Sequence, residues 1–132
     1  MAELKIKWQR LVDDSEQTCN RCAGTGDEIQ TAVEMLRQVL APLGISVIAE
    51  MRELSTAEFL KYPLESNRVW IAQKPLEDWL KAETGQSQCC GPCGDNECRT
   101  ITIGKQKFEV IPKELVLKAG LLAAAELVVH TQ

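Results

Sequence analysis

Hydrophobic and polar residues alternate at the start of the chain. Leu4, Ile6 and Trp8 stand between Lys5, Lys7 and Gln9, and the run continues to Leu11-Val12. A period of two predicts a strand with one buried face. Asp13 to Gly26 is polar, and beyond it Ile29, Val33, Leu36, Leu40 and Leu43 recur at helical spacing, widened by Ala32 and Val39. This predicts a helix that Pro42 and Gly44 stop. Its start is expected at Thr25-Gly26-Asp27-Glu28, because Thr followed three residues later by Glu forms a capping box. Ile45, Val47, Ala49 and Met51 alternate as a second strand, and Ser55-Thr56-Ala57-Glu58 opens a short helix ending near Tyr62-Pro63. Val69-Trp70-Ile71-Ala72 is continuously apolar, as expected of a strand buried on both faces.

Pro75 to Leu80 reads as another short helix with proline in its first turn. Glu83 to Asn96 is rich in Gly, Ser, Gln and Cys and is expected to be a loop. Thr100 to Ile103 and Lys107 to Ile111 form a hairpin turning at Gly104-Lys105. Pro112 opens a last helix with Leu115, Val116, Ala119, Leu122 and Ala123 on its apolar side. The order is strand, Cys-x-x-Cys, helix, strand, short helix, strand, insertion, hairpin, helix. A strand followed by Cys-x-x-Cys and a helix, then a second strand–helix unit and an antiparallel pair, is the thioredoxin plan. The expected fold class is therefore α/β and thioredoxin-like. A mixed central sheet with flanking helices would carry a cysteine-rich insertion at about residues 83–98, before the C-terminal hairpin and helix. One domain spans residues 1–132.

Composition narrows the function classes. The 132 residues are 45% hydrophobic and 26% charged, the balance of a globular domain. A net charge of -4 gives no general attraction to phosphates, so nucleic acid is not an expected partner. The longest apolar stretch, Ala119 to Val129, is interrupted by Gly120 and Glu126. It falls short of the roughly 20 residues a membrane span needs, so no membrane is expected. Met1 to Lys7 lacks the pattern of a signal peptide, and a cytoplasmic location is the expectation.

Six cysteines are many for a chain of this size. In a reducing compartment, clustered cysteines point to metal or redox chemistry rather than to structural disulfides. Cys19-Asn20-Arg21-Cys22 has the spacing that lets two thiols share one disulfide or one metal ion. In the redox reading Cys19 is the attacking thiolate, Cys22 resolves the mixed disulfide, and Arg21 adds positive charge beside them. A helix starting at Thr25 would leave both cysteines in the preceding loop, with only part of the dipole's effect.

The second group is Cys89, Cys90, Cys93 and Cys98. Four thiolates can close a tetrahedral site, and zinc or another thiophilic ion is the cofactor such a donor set selects. Alternatives are a three-cysteine site from Cys90, Cys93 and Cys98, a regulatory disulfide, or a staple for a polar loop. Cys90-Gly91-Pro92-Cys93 repeats thioredoxin's active tetrapeptide, but strand signals rather than a helix follow it. The strand at Val69 to Ala72 runs away from the edge at which the first pair sits, so the second group is expected at the opposite edge, as a separate site.

Together, Thr18-Cys19-x-Arg21-Cys22, Glu65-Ser66-Asn67-Arg68-Val69-Trp70-Ile71, Pro75-Leu76-Glu77-Asp78-Trp79-Leu80 and Cys89-Cys90-x-x-Cys93-Gly94-Asp95-x-Glu97-Cys98-Arg99 resemble an uncharacterised prokaryotic family. It is a domain of unknown function grouped with thioredoxin-like folds. The resemblance covers nearly the whole chain and implies the fold without supplying a reaction. Thioredoxins place a cis-proline just before the third core strand; here that stretch reads Ser66-Asn67-Arg68. Cys19-x-x-Cys22-x-Gly24-x-Gly26 is also similar to one copy of the zinc-binding repeat of DnaJ-type chaperones, which use several.

Other residues carry less. His130 is the only histidine and lies near the C-terminus. Asp13/Asp14 and Glu77/Asp78 are expected to be solvated, and Trp8 and Trp70 to be core. The leading expectation is a thioredoxin-like thiol–disulfide oxidoreductase or redox sensor acting on a thiol or disulfide partner. The alternatives are a protein that binds zinc, mercury, copper or arsenic without turnover, and a scaffold whose cysteine loop contacts a partner.

Overall fold

A computed structural model describes residues 2–11, 20–61, 68–88 and 97–130. Strand β1 (Ala2–Leu11) leads to helix α1 (Asn20–Leu40), a 3-10 turn (Ala41–Leu43) and strand β2 (Ile45–Leu54). Helix α2 (Thr56–Lys61), β3 (Arg68–Ile71), β4 (Lys74–Pro75) and α3 (Leu76–Leu80) follow. A hairpin of β5 (Glu83–Gln88) and β6 (Glu97–Ile103), then β7 (Gln106–Phe108) and α4 (Lys113–His130), complete the order. The fold is mixed α/β, with two sheets and flanking helices.

The larger sheet has the order β2-β1-β3-β4. β1 and β2 are parallel over their full length, whereas β3 is antiparallel to both β1 and β4. The alternation read in β1 puts Leu4, Ile6 and Trp8 on the buried face. Ile71 and Val69 pair opposite Ile6 and Trp8 and extend that face. Helices α1 and α4 pack on it and on each other. Two glycines bring these layers together. A Cβ on Gly26 would lie 2.6 Å from Trp8 Cη2, and one on Gly120 would lie 2.7 Å from Leu36 Cδ1.

Several expectations need correction. Helix α1 begins at Asn20, five residues before the Thr25 capping box. Gly24 and Gly26 weaken a helix by roughly 1 kcal/mol each relative to alanine, yet tertiary packing against Val110 and Trp8 overrides that propensity. Val39 and Leu43, assigned to the buried stripe, are exposed, as is Leu122 in α4. β3 is not buried on both faces, since Val69 and Ile71 are buried while Arg68 and Trp70 are only partly so.

Ala72 lies outside the strand, in a turn with Gln73. Trp70 is not a core residue either. It lies on the opposite sheet face between Lys7, 5.2 Å from its ring centroid, and Arg68, at 4.7 Å. There a hollow of about 200 Å³ is lined by Lys5, Lys7, Trp70 and Gln73.

The stretch expected to be one loop is largely a hairpin. Glu83–Gln88 pairs antiparallel with Glu97–Thr102, and β6 pairs on its other side with β7. The Gly104-Lys105 turn is as expected, but β7 stops at Phe108 rather than Ile111. No helix among the described residues is long and apolar enough to cross a membrane.

Candidate functional site

The earlier start of α1 changes the setting of the first cysteine pair. Cys22 is the third residue of α1, in its first turn, with Arg21 just before it. Cys19 lies outside the described residues and is joined directly to Asn20, where the helix begins. Unpaired backbone N–H groups and the positive end of the macrodipole concentrate in a helix's first turn and lower the pKa of a thiol held there. The first turn of α1 contains no acidic residue that would oppose a thiolate.

Two contacts fix this end of α1. Thr25 does not cap the helix. It is fully buried inside it, and its Oγ1 accepts a hydrogen bond from the Ile111 backbone N–H at 3.1 Å. Gly24 abuts Val110, whose Cγ1 would stand 3.2 Å from a Cβ placed there. One helical turn beyond Cys22, Gly26 opens a cleft of about 300 Å³ between α1 and β2, lined by apolar Trp8, Ile29, Val33 and Met51 among others. Ala49 and Met51 are exposed because they line this cleft, although the strand pattern put them with the core.

Of the second group, Cys89, Cys90 and Cys93 lie outside the described residues. Cys98 is the second residue of β6, paired across the hairpin with Ser87. Its neighbour Arg99 is buried and joined by an ion pair to buried Glu77 of α3. The carboxylates at 77 and 78 are thus not both solvated. An arginine that anchors the hairpin sits beside its last cysteine, a pairing for which the expectation of solvated carboxylates left no place. Glu77 beside the apolar Leu76 and Leu80 was the available signal.

The expected opposite-edge placement of the second cysteine group falls mostly on Cys89, Cys90 and Cys93, outside the described residues. β3 does run away from the end of β1 at which α1 starts, since Gln9 pairs with Arg68 and Ile6 with Ile71. The turn at Ala72-Gln73 then reverses the chain, and β4 runs back toward that end. From β7 the chain reaches Val110 and Ile111, which touch Gly24 and Thr25. β6 is antiparallel to β7, so its first residues lie toward the end at which β7 finishes.

Among the described residues no group of three or more His, Cys, Asp or Glu side chains could hold a metal ion. Arg21 and His130 lie within helices α1 and α4.

A mixed α/β domain with a cysteine at the start of its first helix and another in an anchored hairpin is the class that fold and site define. The chain belongs to the family described as a domain of unknown function, DUF2703, whose profile matches residues 4–120. It is also similar to an uncharacterized protein of Archaeoglobus fulgidus, 46% identical over 114 residues, which cover 86% of this chain and 82% of that protein. No solved structure matches the chain.

Proposed function

We propose that this protein is a thioredoxin-like thiol–disulfide oxidoreductase or redox sensor, with Cys19 as the attacking thiolate and Cys22 as the resolving thiol. The observation that carries the reading is the start of α1 at Asn20, which sets Cys-x-x-Cys at the positive end of a long helix. The sheet supports it. A parallel β1-α1-β2 unit followed by antiparallel β3 and β4 and a later helix favours a thioredoxin-like arrangement.

In this mechanism the Cys19 thiolate attacks a disulfide sulfur of the partner and releases one partner thiolate. The Cys22 thiolate then attacks Cys19 Sγ, releasing the second partner thiol and leaving a Cys19–Cys22 disulfide. The helix terminus and Arg21 favour the thiolate over the thiol, and the cleft beginning at Gly26, where Trp8, Ile29, Val33 and Met51 meet Glu34, Arg37 and Glu50, offers a partner a surface one turn away. Cys89, Cys90, Cys93 and Cys98 would hold a thiophilic ion or a regulatory disulfide. A soft-metal-binding function without turnover is the second reading, supported by the four-thiolate composition of that group.

The test is reduction of a small aromatic disulfide by pre-reduced protein, followed by quench and thiol counting. The Cys19→Ser variant is expected to lose at least about 100-fold in rate, comparable to removal of an essential nucleophile. Undiminished reduction by Cys19→Ser would refute the assignment.

A further inference from the structure

Among the described residues no strand lies beside the outer edge of β2, and the rest of the sheet fixes which of its backbone groups face outward. The Ala72 N–H donates to the Lys5 carbonyl at 2.8 Å, so odd-numbered residues of β1 turn their backbone groups toward β3 and even-numbered ones toward β2. In the parallel ladder Ile6, opposite Ala49, bonds the residues on either side of it, Ile48 and Glu50. The odd-numbered residues of β2 therefore point N–H and C=O outward. Arg37 agrees with this parity, since its Nε donates to the Val47 carbonyl at 3.2 Å. The outward groups of Ala49, Met51 and Glu53 have no partner among the described residues.

This edge lacks the usual guards against pairing. β2 runs ten residues against β1 without a bulge and contains neither proline nor lysine. Every residue from 49 to 53 is exposed. Gly26 seats its part of α1 against Trp8 of β1, which leaves room beside Ala49 and Met51 on that face of β2.

We infer that a second copy of the chain occupies this edge, adding its own β2 antiparallel about a two-fold axis at Met51. Antiparallel bonding needs outward-pointing residues on both strands, which restricts the register. With Met51 opposite Met51, Ala49 and Glu53 exchange backbone bonds, and Glu50 faces Arg52 of the other copy on both sides of the axis. A two-residue slip one way sets Glu50 against Glu50 and needs the Val47 carbonyl that Arg37 holds. The opposite slip sets Arg52 against Arg52. The Met51-centred register pairs opposite charges and leaves the Arg37 bond intact. Glu50 and Arg52 already make exposed pairs with Lys5 and Glu58, and a carboxylate or guanidinium can serve two partners. The dimer joins two four-stranded sheets into one continuous sheet, with the clefts of both copies bordering the seam.

The test uses the full chain, kept reduced, in sedimentation and light scattering from about 1 μM to about 1 mM. A reversible dimer is expected. Met51→Pro removes an outward N–H, which an edge strand tolerates, and should give a folded monomer. Glu50→Arg and Arg52→Glu should each weaken dimerisation about tenfold, and the two combined should restore it. These exposed swaps decide the question even where proline unfolds the strand. Amide exchange at Ala49, Met51 and Glu53 should slow as concentration rises, while Ile48 and Glu50, bonded to β1, stay protected throughout.

A monomer at every concentration, which would leave the edge bare or reserved for a different protein, overturns the inference. So does a dimer that persists in folded Met51→Pro, or one that the combined swap fails to restore.

Discussion

Glu77 and Arg99 form the most consequential side-chain pair away from the cysteines. Both are buried, so removing Glu77 takes a charged partner from an arginine that water barely reaches. Glu77→Ala is therefore expected to cost about 3 kcal/mol, read as a lower urea midpoint at unchanged slope. Amide exchange should rise in Glu97–Ile103, which that arginine anchors. Glu77→Gln keeps an acceptor and should cost less.

Two glycines make a contrasting pair at the same scale. Gly26→Ala drives a methyl into the ring of Trp8, which is rigid and largely buried, and a loss of roughly 1–3 kcal/mol is expected. Gly120→Ala meets only the rotatable end of Leu36, and alanine's better helix propensity offsets the crowding. Its unfolding midpoint should move little. Equal losses from the two substitutions would refute this account of their packing.

At the scale of elements, the β3–β4 turn decides where the second half of the chain goes. It is a two-residue loop in which Ala72 and Gln73 both have positive φ, 53° and 67°. That is the signature of a type I′ turn, which favours Asn-Gly. Replacing Ala72-Gln73 by Asn-Gly should raise stability by about 1 kcal/mol, measured by thermal or urea unfolding.

The same turn shows why part of the fold was hidden in the sequence. Ala-Gln carries no turn signal, so neither the reversal nor the short strand β4 was legible. β1, β2 and α4 were legible from their apolar periodicity, although Ala49, Met51 and Leu122 within it are exposed, and α3 was legible from the proline at its start. The true start of α1 was not legible. Thr25-x-x-Glu28 imitates a cap, whereas the Thr25 hydroxyl serves a backbone N–H 86 residues away. Glu83–Gln88 reads as loop because glycine and polar residues dominate it, and its strand exists only by pairing with β6. Thr25→Val, which keeps the shape and removes the acceptor, should cost roughly 1–2 kcal/mol, and Thr25→Ser much less.

At the scale of the whole molecule, a four-stranded sheet with α1 and α4 packed on it carries Cys22 in the first turn of α1, and a separate hairpin sheet carries Cys98 in β6. The spacing Cys19-x-x-Cys22 was legible, and so was its place after the first strand. The start of α1 at Asn20 was not, because two glycines masked its first turns. The most direct test equilibrates the protein in glutathione buffers of graded potential, then quenches, alkylates and counts the Cys19–Cys22 disulfide. The account predicts one two-electron transition of that pair between roughly -180 and -300 mV, the range of cellular dithiol couples. It also predicts loss of that transition in Cys22→Ser. A pair that stays reduced across the whole range, or becomes reactive only after a bound metal is stripped from it, would contradict the account.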